Sequence, residues 1–252
     1  MYKFDRQHFA TVANLPAGPL SRDERNLYWD IGRNLYRGTG HFLELGGFLG
    51  ASTHAFCCGL AENQHKNEVR ITSYDLFYFD GSWGNPSVYG IEPNQDFEPI
   101  FRDNLRDFQG MIDIEKGDIL LKTPPVDKHT EILFVDLAKT ENIFRHVVEV
   151  FYPQVVPGGF IVHQDYLAQR MQYIKAFTEY FHGYFDIVYP DAGCTVLFRL
   201  AKPWNVPAQE ISAFFDLPAG QMAALVLRNS QRYPGQHKAA FDFSRGIYLR
   251  SS

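Results

Sequence analysis

A glycine-rich break between a strand pattern and a helix pattern constrains this fold most strongly. Residues 41–45 form a short apolar run that suits a buried strand, and a helical pattern begins at about Ser52. Gly46, Gly47 and Gly50 lie between the two patterns. A strand, a glycine turn and a helix in this order form a nucleotide-sized crevice at the carboxyl end of a strand in an α/β sheet. The stretch therefore predicts an α/β fold with a ligand site at this turn, although a tight turn without a ligand is the simpler alternative.

Glu44, just before the turn, bears on the type of ligand. An acidic side chain would repel a pyrophosphate, whereas it suits a ligand that carries an amine or hydroxyl groups. Glycine permits positive φ and leaves no Cβ where a ligand meets the backbone. The first N–H groups of the following helix point into the same crevice. The pattern favours S-adenosylmethionine over a dinucleotide, with Glu44, Gly46, Gly50 and Thr53 as candidate contacts.

Composition and charge exclude several classes of protein. The 252 residues suffice for a full core, and 45% hydrophobic with 21% charged residues is ordinary for a soluble globular protein. The net charge of −5 provides no basic surface for nucleic acid. No apolar run in the sequence is long enough for a membrane span. Three cysteines without paired spacing and an N-terminus without a signal-peptide pattern predict a cytoplasmic protein.

Two further predicted strands lead into acidic residues. The second strand covers residues 69–74 and is followed by Asp75, whose carboxylate would accept two hydrogen bonds from a ribose diol. The third strand covers residues 112–116 and is followed by Asp118 and Ile119. Asp118 would accept from the exocyclic amine of an adenine, and Ile119 would form an apolar wall. Taken alone, an aspartate such as Asp75 is more often a helix cap or a surface residue, so that alternative stays open.

The remaining pattern predicts a central domain with an appendage at each end. Helices are expected over residues 21–36, 51–62, 96–108, 141–152 and 170–182. Strands four and five are expected at 131–136 and 160–163, and two more strands, at 185–189 and 195–199, form an edge hairpin. The aromatic loop over residues 76–93 is predicted to be a flap near the site.

These elements define a Rossmann-like fold. We predict a seven-stranded, mostly parallel sheet flanked by helices within residues 39–200, and an N-terminal segment with a helix in 1–38. Residues 201–252 are predicted to be a C-terminal helical appendage, with helices at 209–215 and 221–230 before a basic, aromatic tail. This appendage would cover the domain or a partner subunit, which makes a homodimer an open expectation.

An ordered set of motifs between residues 41 and 199 resembles class I S-adenosylmethionine-dependent methyltransferases. More narrowly, it is similar to the macrocin O-methyltransferase-like group. The motifs lie at the strand ends and in the turn before strand five. They are Glu44-x-Gly46-x-x-x-Gly50, Asp75-Leu76-Phe77, Asp136, Tyr152-Pro153, Pro157-Gly158-Gly159 and Asp165-Tyr166. The resemblance implies methyl transfer from S-adenosylmethionine to a small hydroxylated molecule of the sugar or natural-product type.

The resemblance also implies a magnesium site, with two departures from the family pattern. Strand four continues as Asp136-Leu137-Ala138 where the family has Asp-Gly-Asp, and Gln164 stands where the family has a second aspartate before Asp165. Asp136, Gln164 and Asp165 would still offer oxygen ligands to Mg²⁺ at one rim of the sheet. By similarity to catechol O-methyltransferase-like enzymes, Lys139 would act as the base. His163, which lies beside these residues in the sequence, is an alternative base that needs no metal.

Simpler roles remain open for each of these residues. Asp136 would alternatively contact the cofactor amino group, Gln164 and Asp165 would cap the next helix, and Lys139 would be a solvated surface lysine. His163 would be a satisfied strand histidine. Two other functions are also open for the chain: a non-catalytic module that binds an adenosyl ligand, and an NAD-dependent oxidoreductase.

Overall fold

The computed structural model describes residues 16, 18–65, 70–82 and 89–250. The chain divides into two compact units, and the boundary between them in the sequence lies between Thr123 and Pro124. The main sheet has seven strands. The sheet is mostly parallel and is flanked by helices, which confirms the predicted fold class.

The first unit is an α/β unit with three parallel strands. Its main strands run in the order β5–β2–β1, and a separate antiparallel pair joins β3 to β4. The strands are β1 (His41–Leu45), β2 (Ile71–Asp75), β3 (Tyr78–Phe79), β4 (Gln95–Asp96) and β5 (Ile112–Lys116). The helices are α1 (Arg22–Asp30), continued by a π-helical turn at Ile31–Leu35, α2 (Ala51–Ala61) and α3 (Glu98–Asn104). Short 3₁₀ turns follow at Arg106–Met111 and Ile119–Leu121.

Helix α1 begins at a capping box and packs closely on α2. Ser21 accepts from the N–H of Glu24, and the Glu24 carboxylate accepts from the N–H of Ser21 at 2.8 Å, so two end donors of the helix are satisfied. At Gly59 of α2 an added Cβ would collide with the backbone carbonyl of Trp29 in α1. The two helix backbones therefore approach one another at a distance that only glycine permits.

The second unit combines a parallel pair of strands with an antiparallel hairpin. Its strand order is β6–β7–β9–β8, with β6 and β7 parallel and the other two pairs antiparallel. The strands are β6 (Thr130–Val135), β7 (Val155–His163), β8 (Phe185–Ala192) and β9 (Thr195–Leu200). The helices are α4 (Glu141–His146), continued by a π-helical turn at Val147–Phe151, α5 (Gln172–Tyr180), α6 (Ala208–Phe215), α7 (Ala219–Ser230) and α8 (Lys238–Arg250). The predicted edge hairpin is thus present as β8 and β9.

The core of the second unit is an aromatic cluster that includes residues beyond the sheet. Phe177 of α5 lies 5.7 Å from Trp204 and 5.2 Å from Phe214 of α6, measured between ring centroids. The indole N–H of Trp204 donates to the carbonyl of Val148 at 3.2 Å. Helix α7 packs on α5, and Asn229 of α7 donates to the hydroxyl of Tyr166 at 2.6 Å. Residues after 200 therefore complete this core.

Some local predictions differ from the structure. The stretch predicted as a basic, aromatic tail contains helix α8, which buries Phe241 and Ser244. The predicted helix over 96–108 begins later, at Glu98, and changes into a 3₁₀ turn after Leu105. Residues 66–69 and 83–88, which include the predicted start of strand two and the centre of the predicted flap, lie outside the described residues. Among the described helices none is long and apolar enough to cross a membrane.

Candidate functional site

The glycine turn after β1 adopts conformations that explain its composition. Gly46 and Gly50 have φ of 102° and 85°, a region that favours glycine. A Cβ at Gly47 would collide with Oγ of Ser73, so the backbone of the turn lies directly on strand β2. Gly50 is the N-terminal residue that precedes α2, and the N–H of His54 bonds to its carbonyl at 2.8 Å. The turn thus leads β1 into helix α2, whose N-terminus has no side-chain cap among the described residues.

Glu44 is completely buried below this turn, with an exposed fraction of 0%. Its carboxylate accepts from Ser52 at 2.7 Å, Thr53 at 2.6 Å and Ser73 at 2.7 Å. Burial raises the pKa of Glu44, and the three hydroxyl bonds offset part of that rise. Glu44 and Thr53 therefore join β1, the start of α2 and β2. This geometry fits a role in holding the turn in shape, while direct contact with a ligand stays a prediction.

Asp75 at the end of β2 fastens two loops through its carboxylate. Oδ2 accepts from the N–H of Phe48 in the glycine turn, and Oδ1 accepts from the N–H of Phe77, both at 2.8 Å. Phe48 and Phe77 have φ of 46° and 51°, a left-handed conformation that costs a non-glycine residue about 1–2 kcal/mol. Burial raises the pKa of Asp75, and the backbone N–H bonds counteract that rise.

The same carboxylate lies at the end of β2, where a ligand can approach it. The N–H groups of Phe48 and Phe77 donate to it at 2.8 Å, and those of Gly47 and Leu76 also interact with it and lower its pKa. Asp75 is only partly covered by the described residues. A ribose diol at the end of β2 would therefore find an acceptor that is already oriented.

Asp118 and Ile119 follow β5, as the sequence predicts. Asp118 accepts from the N–H of Leu120 at 3.0 Å and so caps a short 3₁₀ turn, as an exposed side chain. Ile119 is buried. The structure thus gives Asp118 the capping role that is common for such residues, and the adenine contact stays a prediction.

The second unit holds a group of oxygens that converge on the ammonium nitrogen of Lys139. Nζ lies 2.5 Å from Oδ1 of Asp136, 2.6 Å from Oδ2 of Asp165 and 3.1 Å from Oε1 of Gln164. Because β6 and β7 are parallel neighbours, the residues that follow the two strands meet at one edge. The structure brings the three predicted metal ligands together, with Lys139 at their centre. We call these four residues the Lys139 cluster.

Backbone geometry and one tyrosine hold the cluster in place. Asp165 has φ of 60°, a left-handed conformation, and its carbonyl accepts from the N–H of Ala168 at 2.8 Å. The N–H of Gln164 bonds to the carbonyl of Val135 at 3.1 Å, which extends the β6–β7 pairing to the cluster. The buried hydroxyl of Tyr173 donates to the carbonyl of Ala138, next to Lys139, at 2.7 Å. The strained backbone of Asp165 is typical of functional sites.

The charges in this cluster oppose the predicted role of Lys139 as a base. Burial alone would lower the pKa of Lys139, but the charges of Asp136 and Asp165 outweigh it, and the net pKa lies above the usual value. A general base needs a lowered pKa so that it is free of its proton near neutral pH. The surroundings of Lys139 instead favour the protonated ammonium.

The oxygen ligands of the cluster suit a divalent cation, but the point between them is already occupied. Two carboxylates and an amide oxygen are ligands that Mg²⁺ accepts. The point at which they converge is taken by Nζ of Lys139. Within the described residues there is also no group of three or more His, Cys, Asp or Glu side chains that would hold a metal ion. The cluster therefore does not fit Mg²⁺ while Lys139 is in place.

The structure corrects the prediction of His163 as a base. The side chain is only 1% exposed, and its Nε2 is hydrogen-bonded to the hydroxyl of Tyr152 at 2.5 Å. Rings of Phe144 and Phe198 pack against it at centroid distances of 5.9 and 6.2 Å. Burial lowers its pKa to about 3. His163 is thus a buried core histidine, bonded at Nε2 to Tyr152, whose Nδ1 has no hydrogen-bond partner among the described residues.

Several residues that shape these sites do not stand out in the sequence. Ser73 faces Glu44 because the two are paired in the β1–β2 register, and this pairing depends on which strands are neighbours. Phenylalanine is not a residue type that favours turns, so the sequence does not indicate that the N–H of Phe48 bonds to Asp75. Tyr173 supports the turn before Lys139 from α5. Only its helical spacing to Phe177 indicates that it faces inward.

Comparisons with known proteins agree with this arrangement. A family model described as a methyltransferase domain matches residues 43–166, which is just under half of the chain. Comparison with curated proteins gave no match. The O-methyltransferase NovP has a similar structure, with a TM-score of 0.53 and 15% identity over 71% of this chain and 78% of NovP. A Klebsiella pneumoniae protein assigned as an O-methyltransferase gives a TM-score of 0.50 and 15% identity over 74% of this chain and 83% of its own.

At such low identity the two structures show the fold alone, while the matched family model adds the class of the domain. The matched stretch begins inside β1 and ends at Tyr166, so it contains the glycine turn, Asp75 and the Lys139 cluster. These findings are also consistent with the narrower resemblance to the macrocin O-methyltransferase-like group. Residues 43–166 thus match a methyltransferase domain, and the chain has the fold of, and resembles, the class I S-adenosylmethionine-dependent methyltransferases.

Proposed function

We propose that this protein transfers the methyl group of S-adenosylmethionine to a hydroxyl oxygen of a small molecule of the sugar or natural-product type. The observation that carries the proposal is the carboxylate of Asp75. It bonds to the N–H of Phe48 in the glycine turn and is partly exposed at the end of β2, where a ribose diol would bind. The resemblance to an O-methyltransferase group supports oxygen as the methyl acceptor.

The proposed reaction is a single displacement at the methyl carbon. The acceptor oxygen forms the new O–C bond as the C–S bond breaks, and the electron pair of that bond stays on sulfur to give S-adenosylhomocysteine. The acceptor hydroxyl releases its proton to water. Holding the two reactants in contact supplies most of the acceleration. No step requires Mg²⁺.

Calorimetric titration tests the cofactor first. We expect S-adenosylmethionine and S-adenosylhomocysteine to bind the wild-type protein with dissociation constants on the order of micromolar. The Asp75→Ala variant should bind both at least about tenfold more weakly, because it loses a charged acceptor and releases Phe48 and Phe77. Asp113→Ala is the matched control, since Asp113 is an exposed strand aspartate paired with Arg70, and its affinity should stay unchanged.

If neither adenosyl ligand binds the wild-type protein, the proposed function fails. If both bind, formation of S-adenosylhomocysteine is then measured with a panel of hydroxylated sugars and phenols. Turnover on one of them supports the O-methyltransferase. Binding without turnover on any acceptor would instead support the alternative of a non-catalytic module, which the two departures from the family's acid pattern also favour. Binding of NAD in place of the adenosyl ligands would support an oxidoreductase.

A further inference from the structure

We propose that the ammonium group of Lys139 is a built-in substitute for a divalent cation. In this proposal Asp136, Gln164 and Asp165 are organised around Lys139, and they take up a divalent cation only when this lysine is removed. The proposal rests on the geometry of the second unit alone. It requires no bound cofactor, so its test is separate from that of the proposed function.

The hydrogen bonds of Lys139 satisfy the whole ammonium group. A lysine ammonium has three N–H donors and no acceptor, and its three partners are oxygens of Asp136, Gln164 and Asp165 at 2.5–3.1 Å. Each partner presents an oxygen to the same point. The lysine therefore occupies the position, and makes the number of contacts, of a cation held by three protein ligands.

A divalent cation and the Lys139 ammonium exclude one another at this point. Mg²⁺ requires oxygens at about 2.0–2.1 Å, so it would need the space that Nζ now fills. Displacing the ammonium would also leave two positive centres beside each other in a partly covered site. With the lysine present, the two carboxylates and one ammonium leave one net negative charge. That is weak attraction for a strongly hydrated divalent ion.

The cluster differs from an ordinary surface ion pair in how its parts are held. Asp165 is in a left-handed conformation, Gln164 is buried, and Tyr173 fixes the carbonyl of Ala138 beside Lys139. A useful contrast is Lys116 in the first unit. It also lies between two carboxylates, those of Asp96 at 2.5 Å and Glu98 at 3.2 Å, but Glu98 is also paired with Arg102, and no amide oxygen of the described residues completes the group.

The test is a titration with Mn²⁺, followed by the electron paramagnetic resonance signal of the free ion, without cofactor or substrate. Wild-type protein should bind no stoichiometric Mn²⁺ below millimolar concentration. Lys139→Ala should gain one site with at least about tenfold higher affinity, because three preplaced oxygens become available with two negative charges. The double variant Lys139→Ala/Asp165→Asn should lose the gained site.

Two controls make the result specific. Lys116→Ala also removes a lysine from between two carboxylates, yet it should gain no site of comparable affinity, since Glu98 stays paired with Arg102 and no amide oxygen of the described residues completes the group. Lys139→Gln removes the positive charge with less loss of side-chain volume, and it keeps the proposal testable if Lys139→Ala does not fold. Far-ultraviolet circular dichroism identifies which variants are folded.

The proposal is overturned by either of two outcomes. One is a wild-type protein that binds one Mn²⁺ per chain at micromolar concentration, with Asp165→Asn abolishing that binding. The other is a folded Lys139→Ala or Lys139→Gln variant whose Mn²⁺ affinity equals that of the wild-type protein. Failure of the protein to bind S-adenosylmethionine would leave both measurements unaffected.

Discussion

At the scale of single residues, His163 shows how burial turns an acid–base group into a determinant of stability. Its pKa is lowered to about 3 in the folded protein, while the usual value is 6.5. In the unfolded chain the His163 imidazole therefore binds a proton below pH 6.5, whereas in the folded chain it binds one only below about pH 3. The contribution of neutral His163 to the free energy of unfolding is fully present above pH 6.5. It is lost as the pH falls from 6.5 to about 3.

His163→Gln should reduce the loss of stability in acid. Glutamine does not titrate and still offers an acceptor to the hydroxyl of Tyr152, so the variant lacks the proton uptake that accompanies unfolding. Within the window from pH 6.5 to about 3 the free energy of unfolding of wild-type protein should fall by up to about 1.4 kcal/mol more per pH unit than that of the variant. Urea unfolding at several pH values measures the difference, and parallel pH profiles would contradict the assignment.

The same scale shows what the sequence reveals about the candidate site. A carboxylate that follows a buried strand is visible in the sequence, which places Glu44, Asp75, Asp136 and Asp165 at strand ends. Whether such a carboxylate faces a ligand or other protein groups depends on strand register. Ser73 meets Glu44 only through the β1–β2 pairing, and Lys139 reaches Asp165 only because β6 and β7 are neighbours.

At the scale of elements, two helical glycines have opposite roles. Gly59 in α2 lies against the backbone of α1, where an added Cβ would collide with the carbonyl of Trp29 and lie 2.9 Å from the nitrogen of Arg33. Gly246 in α8 has as its nearest neighbour the end of the flexible Arg250 side chain, at 3.2 Å. Backbone cannot move aside, but a side chain can.

Alanine substitutions should therefore change stability in opposite directions. Gly59→Ala should lower the free energy of unfolding by about 1–3 kcal/mol, since the helices must separate to admit the methyl group. Gly246→Ala should raise it by up to about 1 kcal/mol, because alanine loses less backbone freedom in a helix. Thermal and urea unfolding of both variants measure this. Stabilisation by Gly59→Ala would show that α1 and α2 do not pack as described.

Element predictions succeed where a strong local pattern exists. The apolar strands and the capping box at Ser21 are of this kind, and β1, β5 and α1 lie where the sequence places them. Helix α8 was missed because Gly246 interrupts its centre and Phe241 and Ser244 are its buried residues. Such a helix is stabilised by its packing on α7 and α5, which is tertiary information.

At the scale of the whole molecule, the C-terminal helices complete the core of the second unit. Trp204, Phe214 and Val226 are each less than 5% exposed. Burying one such side chain contributes about 1.5–3 kcal/mol, and the stability of a domain is only about 5–15 kcal/mol in total. The predicted boundary at residue 200 is therefore not expected to be a point at which the chain can be cut.

A chain that ends at residue 200 should lose cooperative unfolding. Without Trp204 and the helices α6–α8, the rings of Phe177 and Tyr152 lose their cover, and a molten or insoluble product is expected. Near-ultraviolet circular dichroism and thermal unfolding test this. A chain that ends at residue 237 retains Trp204, α6 and α7, and it should unfold cooperatively at a lower temperature. A sharp, undiminished transition for the shorter chain would contradict the expectation.

The carboxylate of Asp75 holds the glycine turn and the loop after β2 by backbone N–H groups, at Phe48 and at Phe77. Every residue except proline has such an N–H group, so these bonds do not depend on which side chain the two positions carry. The left-handed φ at both positions limits the choice, with glycine and asparagine the easiest replacements. The ring of Phe48 packs on Tyr89 and Phe97, whereas the bond to Asp75 uses only its backbone. A replacement that tolerates the left-handed φ would therefore change the side chain at this turn while the bond from its N–H to Asp75 remains.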